Sequence, residues 1–254
     1  MAEVFSAERI DPSMLSKHQL EELSGKLYQI HKAIFTGIDK QDFDHYVLNS
    51  RATATRIFLY RNKKKELIGY LGVHRFETHV EERPVTVFRA EVGLLPKYRQ
   101  KDADLSFWLK EAAKFKLLHP RKPVYFLYAP VSPSFYAMVA RYTYKVYPRH
   151  DLSIQSHVLS LMTHLAQQFG LEQVEEGNPL IRNVGWITQA TDQEKNFWQS
   201  SQNPHVRFYI KNNPGFTVGH GLLTLIPLTI TNTLLSLFGQ GFHAIKKRLR
   251  DNFH

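Results

Sequence analysis

The sequence predicts an α+β fold: a mixed central sheet flanked by helices, followed by a C-terminal α+β extension. Three observations predict it. Helical and strand-like segments follow in the order ααββ(β)αβα, with more strands beyond, which is the signature of a layered fold. The run "PVYFLYAPV" is almost wholly apolar, as a strand covered on both faces must be. The 254 residues are 43% hydrophobic and 13% aromatic, enough to bury a sizeable core.

Each element has its own signal. Ser16 caps a helix whose Leu20, Leu23, Leu27, Ile30 and Ile34 recur at helical spacing before Gly37. A second, short helix runs from Asp39 to about Leu48. "TRIFLYRNKKKELIGYLGVHRFE" reads as two strands around a lysine-rich turn. "ERP" at 82–84 marks another turn, and "VTVFRAEVGLL" a further strand. A helix over 102–118 carries Leu105, Trp108, Leu109, Ala112 and Phe115 on one stripe. "SPSFYAMVARYTY" reads as a helix with Pro133 in its first turn. Residues 1–150 are thus taken as the core and 151–254 as the extension. In the latter, 154–169 is an amphipathic helix, "PLIRNVGWI" and "HVRFYIKNN" read as strands, and "TDQEKNFWQSS" as a helix between them. A buried strand near 222–228 precedes an amphipathic helix built on Leu234, Leu235, Phe238, Phe242, Ile245, Leu249 and Phe253, with Lys246, Lys247, Arg248 and Arg250 on its basic end.

The formal net charge of +10 favours an anionic partner: nucleic acid, an anionic membrane, an acidic protein or a phosphorylated cofactor. The chain has no cysteine, which excludes disulfides, a thiol nucleophile and thiolate metal sites, and fits a cytoplasmic setting. The first residues lack a basic stretch followed by an apolar one, so no secretory signal is expected. His157 and His164 lie on one predicted helix without a partner at metal-ligand spacing, and no metal site is expected. The sequence contains no P-loop, no H-E-x-x-H and no G-x-S-x-G.

"VGLLPKYRQKDADLSFWLKEA" places a strand, a basic loop and a helix start in succession, an arrangement that aims free backbone N–H groups at a phosphate. Together with "AMVARYTYKVYP", it resembles the GNAT acyltransferase superfamily over roughly residues 15–150. The resemblance implies a thioester donor, acyl-CoA or an acyl-phosphopantetheine carrier, and an amine acceptor. It puts Arg99, Gln100, Lys101 and Ala103 around the donor's phosphates, with Val92 and Leu94 on the strand that pairs with pantetheine amides. Asp102 and Asp104 stand where the family carries glycine-like residues. One reading is a capped helix with no ligand, since carboxylates there occupy the donors and repel pyrophosphate. The other is a donor without the nucleotide, delivered on an acidic acyl carrier protein, as in homoserine-lactone synthases and long-chain N-acyl amino acid synthases.

Amide formation from a thioester needs a base for the amine and an acid for the leaving thiolate. The resemblance implies Glu91 as the base and Tyr142 as the acid, with Tyr136 an alternative. If the hairpin turns around residues 82–84, Glu77 falls opposite Arg89 and Arg75 opposite Glu91. Four charges then share one sheet face, either as cross-strand ion pairs facing solvent or as a substrate site in which Arg75, Arg89 and Glu77 orient an acceptor carboxylate. His74 points to the other face, as a packed histidine. The function expected is acyl transfer, of a long chain in one version, to an amine. The rivals are a catalytically silent binding module of the same fold and, on charge alone, a nucleic-acid-binding protein. The tail suggests a cytoplasmic protein with peripheral contact at the inner membrane surface through 230–254.

Overall fold

The computed structural model describes residues 6–48, 50–99, 107–174 and 178–238. In chain order its strands are β1 (Ser6–Ile10), β2 (Phe35–Thr36), β3 (Ala54–Arg61), β4 (Leu67–Val80), β5 (Arg83–Leu94), β6 (Val124–Tyr128), β7 (Ile181–Asn183), β8 (Ile187–Thr188), β9 (His220–Leu222) and β10 (Thr224–Pro227). The helices are α1 (Lys17–Lys32), α2 (Lys40–Val47), α3 (Phe107–Leu118), α4 (Pro133–Tyr142), α5 (Ser156–Gln168), α6 (Asp192–Ser200) and α7 (Pro204–Asn212). Residues 230–238 are also helical. The central sheet has six strands in the order β1-β3-β4-β5-β6-β10. Only β5 and β6 run parallel; every other pair in it is antiparallel. This is the mixed, helix-flanked sheet that the sequence predicted.

Both sheet faces are covered. Leu23 and Leu27 of α1 and Phe43 and Val47 of α2 pack on Ile57, Leu59 and Tyr70. On the same face, Met162, Leu165 and Ala166 of α5 cover Val85, Val87 and Leu127. The other face packs Leu109 and Ala112 of α3 and Tyr136 and Val139 of α4 against Phe58, Leu71, Phe88 and Phe126. Each such fully buried aliphatic or aromatic side chain contributes about 1.5–3 kcal/mol. Helix α1 starts where Ser16 predicts: its hydroxyl accepts from Gln19 N, and Gln19 Oε1 accepts from Ser16 N, which satisfies two orphan donors. The C-terminal third supplies β10, which closes the far edge of the sheet against β6.

Two expectations need correction. "HVRFYIKNN" is helix α7, not a strand. Val206, Phe208 and Ile210 alternate as a strand would, but Asn203 Oδ1 accepts from His205 N and Pro204 occupies the first turn. Tyr209 then anchors the helix by donating its hydroxyl to Pro130 O at 2.7 Å. The second correction is the β4–β5 register. The hairpin closes through Glu81 and Glu82, with Val80 opposite Arg83 and Glu81 at a left-handed φ of 53°. Glu77 therefore pairs with Thr86 and Arg75 with Phe88. The offset from the expected register is odd, so it moves the β5 charges to the opposite face from Arg75 and Glu77.

His31 at the end of α1 is 1% exposed, and its Nδ1 shares a 2.9 Å hydrogen bond with the Tyr70 hydroxyl. Burial lowers its pKa to about 4. The folded state thus resists protonation that the unfolded chain accepts below about pH 6.5. Stability contributed by neutral His31 is intact above that pH and is lost as pH falls toward 4. Urea unfolding should show His31→Leu losing about 1–2 kcal/mol less than the parent between pH 7 and pH 5. Equal losses would place His31 outside the pH response.

Candidate active site

The β5–β6 ladder is short. It comprises Thr86↔Val124, Val87↔Tyr125 and Phe88↔Phe126, after which the strands part. β5 continues to Leu94, so its β6-facing backbone beyond Phe88 has no strand partner among the described residues. The gap opens into a cavity of about 670 Å³, lined on one side by residues 89–94 and on the other by 127–132. Phe135 and Met138 of α4 add an apolar wall, and Ile34, Phe35 and Trp186 another. Residues of the C-terminal third, including Leu171, Val184 and Phe197, complete the enclosure. Val92 and Leu94 both line it.

Glu91 lies at this cavity, and the corrected register gives it a partner the sequence reading placed elsewhere. His74 Nε2 is 2.7 Å from Glu91 Oε2, close enough for an ion pair though off line for a directional hydrogen bond. The hydroxyls of Ser50 and Thr55 sit 2.9 and 3.0 Å from His74 Nδ1. The carboxylate favours a proton on Nε2, so we assign Nδ1 as the acceptor of one of these hydroxyls. Gly72 stands across the ladder from Glu91, and the space its side chain would fill is used by this pair: a Cβ there would lie 3.1 Å from His74 Nε2 and 3.3 Å from Glu91 Oε2. His74 is thus more than a packed histidine. The signal available in the sequence was the two-residue hairpin, which would have turned it toward Glu91.

Arg89 is two residues earlier on the same face and also lines the cavity. Its guanidinium carbon sits 5.2 Å above the Phe169 ring, and burial presses its pKa down while Glu91 opposes that shift. Arg75 and Glu77 are not with it. Arg75 stacks on Phe115 at 4.8 Å, on the α3 face, and Glu77 pairs there with Lys122 and accepts from Thr86 Oγ1. They line no part of the cavity.

Three tyrosines compete for the acid. Tyr142, at the end of α4, is absent from the cavity wall. Tyr136 is fully buried and donates to Pro148 O at 2.8 Å. Tyr128, at the end of β6, lines the cavity, and its buried hydroxyl has no hydrogen-bond partner among the described residues. Burial raises its pKa well above the ordinary value, so it stays protonated. Sequence reading passed over Tyr128 because it sits in an apolar run that looks like pure core.

Arg99 is held by the protein itself. Its Nη1 donates to both oxygens of Glu194, at 2.9 and 3.2 Å, and to Gln189 O; Nε donates to Leu94 O and Nη2 to Ile34 O. The Arg99 and Glu194 side chains are 15% and 9% exposed, so the pair is buried. Gln100, Lys101 and Ala103, with Asp102 and Asp104, lie outside the described residues. Among the described residues, no cluster could hold a metal ion and no helix is long and apolar enough to cross a membrane.

No family model matches the sequence, and no curated protein matches it. Solved structures similar to it include Arabidopsis thaliana NAA60 in complex with acetyl-CoA, at 13% identity over 89% of this chain and 99% of that one, with a TM-score of 0.37. Escherichia coli ElaA is 18% identical over 58% of this chain and 95% of its own, with a TM-score of 0.35. A probable N-acyltransferase from Enterococcus faecalis V583 is 14% identical over 55% of this chain, with a TM-score of 0.37. This chain spans only 33% of that protein's length.

Proposed function

We propose that this protein transfers an acyl group from a thioester to an amine within a ternary complex. The observation that carries the reading is the parting of β5 from β6, which leaves unpaired strand backbone beside a cavity holding both a carboxylate and a protonated phenol. The unpaired β5 backbone suits the amides of a pantetheine arm. Glu91 takes a proton from the amine, whose nitrogen attacks the thioester carbonyl; the C–N bond forms as the C–S bond breaks. Tyr128, in place of Tyr142, gives its proton to the departing thiolate. No cysteine is present to carry an acyl intermediate, which favours direct transfer.

The volume and the apolar walls from α4 and the C-terminal third suit an acyl chain longer than acetyl. Arg99 is engaged by Glu194, so its charge does little for a nucleotide pyrophosphate, and the net charge of +10 suits an acidic carrier protein as donor. Helix 230–238 exposes Ile230, Leu234, Leu235 and Phe238, and the basic residues Lys246, Lys247, Arg248 and Arg250 follow in sequence. That combination supports peripheral contact with an anionic membrane from the cytoplasmic side. The engagement of Arg99 also favours the rival reading, a silent binding module.

Thiol release with acetyl-, octanoyl- and palmitoyl-CoA, and with acyl carrier protein bearing the same chains, separates these readings when a mixture of amines is supplied. Transfer should rise with chain length, and Tyr128→Phe should lower kcat on the order of tenfold or more. The same substitution should leave stability unchanged or slightly raised, because it deletes a buried hydroxyl that has no partner among the described residues. Binding of a donor without amine-dependent thiol release would select the silent module.

A further inference from the structure

Arg89 is a charged group at the cavity wall with no acceptor among the described residues. Its side chain is half-buried there, and its Nε is fully buried without a hydrogen-bond partner among those residues. The other charges around the cavity are matched: Arg99 is bound by Glu194, and Glu91 has His74. The groups that face Arg89 are Glu91 on its own strand, His74 across the ladder, Tyr46 from α2 and the Phe169 ring after α5. None of them gives the planar fork the bidentate acceptor it is shaped for. A half-buried arginine whose buried Nε lacks an acceptor is costly, so its place at a cavity wall points to a ligand that brings one.

We propose that Arg89 binds the carboxylate of the acceptor, and that the acceptor is therefore an amine bearing a carboxylate, of the amino-acid type. This rests on the acyl-transfer reading and names its substrate class. Residues two apart on one strand present their side chains to the same face about 7 Å apart at Cα. Arg89 and Glu91 thus offer a positive and a negative group side by side, the mirror of a zwitterion. The carboxylate would bridge the guanidinium while the amine meets Glu91, which is where it must lose its proton. The apolar surroundings, with Trp186 and Val131 nearby, suit an amino acid with an apolar side chain.

The test compares leucine with isopentylamine and phenylalanine with phenethylamine, pairs that differ only in the carboxylate. In the parent protein, kcat/KM should favour the carboxylate-bearing member by on the order of a hundredfold, and Arg89→Gln should collapse that ratio toward one. Arg89→Lys, which keeps the charge and loses the fork, should fall between. Calorimetric titration of the parent with the same four compounds reads binding without turnover and does not depend on any variant folding. It should show the amino acids binding and the amines not. Equal transfer to both members of each pair would overturn the proposal while leaving acyl transfer standing, and so would calorimetry in which neither amino acid binds. If the carboxylate belonged instead to the acyl chain, succinyl-CoA would outpace butyryl-CoA with plain amines, and the assignment to the acceptor would fail.

Discussion

Glu91→Gln should lower kcat/KM for acyl transfer by about 10²–10⁴-fold, the range for removing a positioned general base. The amide keeps the shape of the carboxylate at the rim of the β5–β6 gap and cannot accept the amine's proton. Because the shape is retained, binding of the donor to the unpaired strand backbone should survive. The loss should therefore appear in kcat more than in the donor's KM. His74 allows a sharper reading. With Nδ1 held by the Ser50 or Thr55 hydroxyl, the ring is fixed beside Glu91 rather than free to take over its role. Replacing His74 by Gln should lower kcat with little change in the donor's KM, since the ring holds the Glu91 carboxylate in place. A Glu91→Gln protein with parental turnover and a native melting curve would remove Glu91 from the chemistry.

Glu194→Ala should destabilise the fold by about 3–5 kcal/mol, the cost of stranding a buried charge. Glu194 accepts from Arg99 Nη1 and, as the third residue of α6, also closes a capping box with Thr191 through both the backbone N–H and the hydroxyl. Removing it leaves Arg99 charged and enclosed and frees a helix-end donor. The pair joins the end of β5 to the segment that encloses the cavity, since Arg99 also binds Gln189 O. Loosening should therefore reach the site, raising the donor's KM as well as lowering stability. A double replacement, Arg99→Met with Glu194→Leu, should recover part of the loss, because two apolar side chains leave no unpaired charge. Urea unfolding of the three variants checks this. A loss below about 1 kcal/mol for Glu194→Ala would mean that the pair behaves like a solvent-exposed one.

Local patterns in the sequence carried much of the fold. The Ser16 capping box, the α1 stripe and the strands on either side of the lysine-rich turn are set by neighbours a few residues apart, and they appear where those patterns put them. The α+β class followed from element order for the same reason. What failed was non-local or depended on a single residue. The β4–β5 register turned on which two residues form the loop, and Glu81 is not a residue whose identity announces a left-handed φ. An odd slip then split the four expected charges between two faces, parting Arg75 and Glu77 from Arg89 and Glu91 and joining Glu91 to His74. α7 was misread because Val206, Phe208 and Ile210 satisfy a period of two as well as a helical one, while the deciding contacts of Tyr209 and Asn213 lie with Pro130 and His220. The candidate base was legible through a motif; Tyr128 and Glu194 were not, because a buried phenol and a helix-capping carboxylate look like ordinary structure until the cavity and its walls are assembled.

The account depends on the space between β5 and β6 being the donor's slot. Hydrogen–deuterium exchange of the backbone amides, with and without saturating palmitoyl-CoA or palmitoyl carrier protein, reads that space directly. Slowed exchange over residues 89–94 and 127–132, with little change along β1 and β3, is the predicted result. A donor that binds while exchange in those two stretches is unaltered would contradict it.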